Sequence, residues 1–161
     1  YYAFGAALSE VHVDERTGEY HVEQVDILHD VGHSLNEAVD RGQIEGGFIQ
    51  GMGWLTSEEL LWNDAGRLMS ASPSTYKIPT AHDLPRTFNV SLFDRANKAP
   101  TIYRSKAVGE PPLMLAISVW CALKDACASL CQYRISPDLA VPATPEQVLW
   151  AMERAREFVD E

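Results

Sequence analysis

Tyr2-Ala3-Phe4-Gly5-Ala6-Ala7-Leu8-Ser9-Glu10-Val11-His12-Val13, then Asp14-Glu15-Arg16-Thr17-Gly18, then Glu19-Tyr20-His21-Val22-Glu23-Gln24-Val25-Asp26-Ile27-Leu28, is the stretch that decides the fold. Two β-rich runs flank five residues of turn-forming composition, and that pattern predicts a hairpin. Downstream, Ser34 and Glu37 have capping-box spacing and open a run of helix formers that continues toward Glu58-Glu59-Leu60, with Gly42, Gly46, Gly47, Gly51 and Gly53 as possible breaks. Thr87-Phe88-Asn89-Val90-Ser91-Leu92 alternates with the period of a half-buried strand. Residues 94 to 109 read as a polar connection. A helix is then expected from Pro111 to about Leu130, and Thr144-Pro145-Glu146-Gln147 starts a last one, with Val148, Met152 and Val159 on its buried side. Strand pair, helix, strand and helix imply an α+β fold: two layers, a mixed sheet with helices packed on it.

Composition narrows the function. The 161 residues and 17.9 kDa suit one domain or one compact piece of a larger one, with 46% hydrophobic residues for a core. A formal net charge of -10 and a pI near 4.9 argue against nucleic acid or an anionic membrane as partner. Leu113 to Leu123 is apolar, but it is interrupted by Ser118 and too short to span a bilayer, so it reads as a buried helix. Cys127 and Cys131 lie one helical turn apart and share a side, while Cys121 points elsewhere. An odd cysteine count without a secretory signal suits reduced thiols in a cytoplasmic protein. No metal-ligand spacing is seen. A start inside the strand-like Tyr1-Tyr2-Ala3-Phe4-Gly5 is read as a fragment of a longer subunit.

Lys106-Ala107-Val108-Gly109-Glu110-Pro111-Pro112-Leu113 carries the chemistry. Pro111 biases Glu110 toward extended backbone, and its own fixed φ suits the first turn of a helix. The carboxylate is therefore expected at a helix entrance. There it can complement the positive helix end, or it can serve as a pre-organised base. In Gly42 to Trp54, Gln43 and Gln50 fall on nearly one helix face with Gly46 and Gly47 between them. Such a face can pack tightly on another element or accept the polar rim of a bulky cofactor. Gly51-Met52-Gly53 lacks the third glycine of a dinucleotide fingerprint, since Thr56 takes that place.

Lys106 to Leu113, Gly42 to Trp54 and Pro73-Ser74-Thr75-Tyr76-Lys77-Ile78-Pro79, in that family's order, resemble the molybdenum-cofactor subunit of bacterial-type xanthine dehydrogenases, in the xanthine oxidase/aldehyde oxidase family. The resemblance covers nearly the whole chain. It implies that residues 1 to 161 are the C-terminal segment of a molybdenum-cofactor-binding domain. It also implies hydroxylation of hypoxanthine or xanthine with oxygen from water, Glu110 as general base, Gln43 as a molybdopterin contact and no metal-ligating side chain from this segment. The remainder of the molybdenum subunit, a 2Fe-2S/FAD subunit or domain and an oligomeric assembly would be its partners. Glu37 departs from the proline common in the family. A hydroxylase for aldehydes or other N-heterocycles would share Gln43 and Glu110, though such relatives tend to carry other residues than Pro111-Pro112; a non-catalytic docking or assembly module is the remaining reading.

Overall fold

A computed structural model describes residues 1–158. Strands β1 (Gly5–Val13) and β2 (Tyr20–His29) pair antiparallel, and β2 pairs parallel with β3 (Thr87–Leu92), giving a mixed sheet in the order β1-β2-β3. The fold is α+β as the pattern implies. Asp14 closes the hairpin turn: its Oδ1 accepts from the Arg16 N–H at 2.8 Å and its carbonyl from the Gly18 N–H at 2.9 Å. Gly18 has φ +74 and a Cβ there would strike Pro145 backbone, so glycine is needed twice over. β1 begins at Gly5 rather than Tyr2, and a register shift at Glu10/Val11 bends the ladder.

Two α-helices, α1 (Glu37–Thr56) and α2 (Ile117–Ser129), pack on the sheet, and α3 (Pro145–Glu157) packs on α2. Val25, Ile27, Ile44, Phe48, Val119, Leu123, Val148 and Met152 form the centre of one core. Thr144 caps α3 by accepting from the Gln147 N–H, as its capping box predicts, and Val148 and Met152 face inward; Val159 lies outside the described residues.

Two helix starts differ from expectation. The α1 cap is Asn36, whose side chain accepts from the Val39 N–H, while Ser34 donates to Asp40 at 2.5 Å instead. Asn is as good a cap as Ser, and the later start leaves Ser34 in the approach. The helix expected from Pro111 opens as a 3₁₀ segment, Pro111–Ala116, before becoming α2. Together they make a helical stretch of 19 residues, Pro111–Ser129, long and apolar enough by composition to cross a membrane. Here Ala116, Val119, Leu123 and Cys127 are fully buried in the core. Cys127 and Cys131 are buried and Cys121 is exposed; burial pushes the Cys127 thiol up to about 11.

Candidate functional site

The five glycines do not break α1. On one face, a Cβ at Gly47 would stand 3.3 Å from Pro112 Cβ, and one at Gly51 would stand 2.9 Å from Ala116 Cβ. Both values are tight, so these glycines let the 3₁₀ segment lie directly on the helix backbone. Gly53 does the same for Pro79, whose Cδ is 2.5 Å from the Cβ position. Ser57 donates to the Lys77 carbonyl at 2.8 Å and Tyr76 to Glu58 at 2.5 Å, so residues 76–79 cross the end of α1 and help stop it at Thr56. Gly42 and Gly46 have open space where a Cβ would be. The glycine-rich segment thus divides into a packed face and a bare one.

Gln43, Gly47 and Gly51 are spaced at four residues and share the packed face. Gln43 is at its exposed N-terminal end, where its Oε1 is 3.5 Å from the Cβ position of Gly109. Gly109 immediately precedes Glu110. The structure therefore brings the Gln43 amide beside the loop that carries Glu110. Gln50 is also exposed.

Glu110 is exposed and sits at the entrance of the 3₁₀ segment, but its carboxylate makes no capping hydrogen bond. Its backbone has φ -100 and ψ -39, which corrects the extended conformation expected before proline. The Leu113 N–H donates to the Glu110 carbonyl at 3.1 Å, and with two prolines unable to donate, this turn-closing bond fixes the local geometry.

The other end of the loop is tied to the residues after β2. Lys106 donates through its backbone to the Val31 carbonyl at 2.8 Å, and its Nζ reaches Asp30 Oδ2 at 2.6 Å and the Tyr2 carbonyl at 2.9 Å. Nζ also lies over the Phe4 ring, 5.1 Å from its centroid. The pair is nearly buried, with side chains 8% and 12% exposed for Lys106 and Asp30. Asp30 Oδ1 accepts from the Gly32 N–H at 2.9 Å. Gly32 has φ +66, and Arg104 O is 2.5 Å from its Cβ position, so the crossing strand needs glycine there. Tyr103 and Arg104 themselves take left-handed φ of 51 and 60, turning the chain into this crossing.

Sequence reading does not single out Asp30. The available signal is Asp30-Val31-Gly32, an acid two residues before a glycine, which is the composition of an Asx turn. Next to it, His29 is 1% exposed and its Nδ1 has no hydrogen-bond partner among the described residues. Burial holds its pKa below the usual value; the Lys106 cation adds to this and Asp30 opposes it.

A family model described as a molybdopterin cofactor-binding domain matches residues 1–85. Xanthine dehydrogenase 1 of Arabidopsis thaliana is 45% identical over 161 residues, covering 94% of this chain and 12% of its own length. Aldehyde oxidase 2 of Mus musculus is 49% identical over 154 residues, covering 94% of this chain and 11% of its own. Among solved structures, quinoline 2-oxidoreductase from Pseudomonas putida 86 matches with a TM-score of 0.78 at 27% identity, over 89% of this chain and 18% of that one. The chain thus spans only 11 to 12% of the curated relatives' length. Because the matched residues 1–85 are more than half of the 161 and contain the Gln43 helix, the chain belongs to the molybdopterin cofactor-binding domain family.

Proposed function

We propose that residues 1 to 161 form the C-terminal segment of the molybdenum-cofactor-binding domain of a cytoplasmic xanthine dehydrogenase. The observation that carries this is the meeting of all three family-like blocks along α1: Gly47 and Gly51 under Pro112 and Ala116, Gly53 under Pro79, and Gln43 beside Gly109. The residues suit a large polar cofactor, because an exposed amide stands next to the uncovered backbone of Gly42 and Gly46. Gln43 would hold the pterin. When bound, the molybdenum-pterin group supplies the redox chemistry that a side chain cannot.

Glu110 is the general base. Its carboxylate takes a proton from the water whose oxygen enters a ring carbon of hypoxanthine or xanthine, and the two-proline step behind it holds it in place. The rest of the molybdenum subunit completes the pocket, a 2Fe-2S and FAD portion receives the electrons, and the assembly is oligomeric. In the complete enzyme, Glu110→Gln is expected to keep molybdenum while losing about 10² to 10⁴-fold in turnover, since the amide keeps the shape without the basicity. Wild-type turnover in a molybdenum-replete variant would falsify the assignment.

The 49% identity to an aldehyde oxidase favours a second reading, hydroxylation of aldehydes or other N-heterocycles through the same two residues. Comparing kcat/KM for xanthine and for an aromatic aldehyde in the complete enzyme separates the two.

A further inference from the structure

We propose that Asp30 and Lys106 are positioning residues for Glu110, a buried ion pair that fixes the loop carrying the base. The proposal rests on the reading of Glu110 as that base. The loop from Lys106 to Pro112 has two anchorages. On the proline side, Pro112 lies on Gly47. On the other, Lys106 is fixed through its backbone to Val31 and through Nζ to Asp30 and Tyr2. Between them stand the Ala107 N–H, which donates to the Tyr1 hydroxyl at 2.9 Å, partly buried Val108, and Gly109 beside Gln43. Removing the Lys106 side chain would leave that side of the loop held by its backbone bond to Val31 and by the Ala107–Tyr1 bond, without the directional ion pair.

Lys106 is built to hold position. Two Nζ donors are used by Asp30 and Tyr2, and the ammonium lies over the Phe4 ring. Only 8% of its side chain is exposed. A buried ion pair adds little net stability over an apolar pair of equal volume, but it is directional where apolar contact is not. Asp30, the residue after β2, is itself fixed, because its second oxygen accepts from the Gly32 N–H and its own N–H donates at 2.8 Å to the carbonyl of Phe4, the residue before β1. A misplacement of about 1 Å at a reacting group can cost on the order of 10²-fold in rate.

The test uses the complete enzyme with both charges removed together, Asp30→Asn with Lys106→Met, so that no lone charge is buried and Gly32 keeps its acceptor. Molybdenum content is expected to be unchanged, kcat to fall roughly 10- to 100-fold, and KM to change less than about threefold. The same double change added to Glu110→Gln is expected to cost nothing further in residual turnover, because its effect passes through Glu110. Wild-type kcat in the charge-free variant would overturn the proposal. So would an equal loss in the Glu110→Gln background, or failure of the variant to fold and load molybdenum, either of which makes the pair a general structural support. Full turnover of Glu110→Gln by itself overturns the base assignment, a result separable from the pair's own effect.

Discussion

Gly51 and Gly42 occupy one helix under opposite constraints. A methyl at Gly51 meets Ala116 and the Leu113 backbone, whereas one at Gly42 meets nothing. Gly51→Ala is expected to lower stability by about 1–3 kcal/mol through overpacking. Gly42→Ala is expected to be neutral or to stabilise by up to about 1 kcal/mol through helix propensity. Urea midpoints of the two variants decide the matter, and equal losses would contradict the packed and bare faces. His29 gives a pH prediction. Its folded pKa lies below 6.5, so the unfolded chain takes up a proton first as pH falls through that value. This residue therefore costs stability progressively from about pH 6.5 downward, until the folded pKa is also passed. His29→Leu should show a smaller loss of urea midpoint between about pH 7 and pH 5 than the parent protein. Identical pH slopes would rule out a depressed His29.

Among the elements, the α1 entrance is the sharpest test. Asn36→Ala should cost about 1 kcal/mol because it strips the acceptor from the Val39 N–H, while Ser34→Ala should cost less. A larger effect at Ser34, by thermal or urea unfolding, would move the cap back to the capping-box position. β3 at Thr87–Leu92 and α3 from Pro145 are legible in sequence because their signals are local: alternation in one, a threonine cap and proline in the other. Gln43 and Glu110 can be singled out from motif resemblance, and a carboxylate at a helix entrance from the prolines. What the sequence hides is long-range. The close approach of Leu113 and Ala116 to Gly51 on α1 joins segments far apart in the sequence, and Asp30 meets Lys106 across 76 residues. The backbone at Glu110 escapes the proline rule because a turn hydrogen bond, absent from any pairwise preference, decides it.

At the scale of the molecule, exposed apolar side chains are numerous among the described residues, and several of them lie together. Tyr2 and Ile102 are each 78% exposed, with Phe4, Leu8, Trp62 and Tyr103 all above 60%. Tyr2, Phe4, Leu28 and Phe93 line one cavity, and contiguous apolar surface of this kind is normally covered. The isolated 161-residue chain is expected to fold, to self-associate and to retain neither molybdenum nor pterin, as checked by sedimentation velocity and metal analysis. A monomeric 161-residue chain with stoichiometric molybdenum would overturn the proposal that the rest of a molybdenum subunit completes the pocket.

The parallel pairing of β2 with β3 carries a consequence for the order of assembly. β1 and β2 are joined by a short turn, so their ladder can close in microseconds. Asp26 and Asn89, which share a hydrogen bond across the next ladder, are 63 residues apart. That contact must close a long loop containing all of α1 before it returns any stabilisation. During synthesis the hairpin is therefore complete while the third strand is still unmade. The free edge of β2 then waits, unpaired and open to wrong partners, until Thr87–Leu92 emerges to cover it.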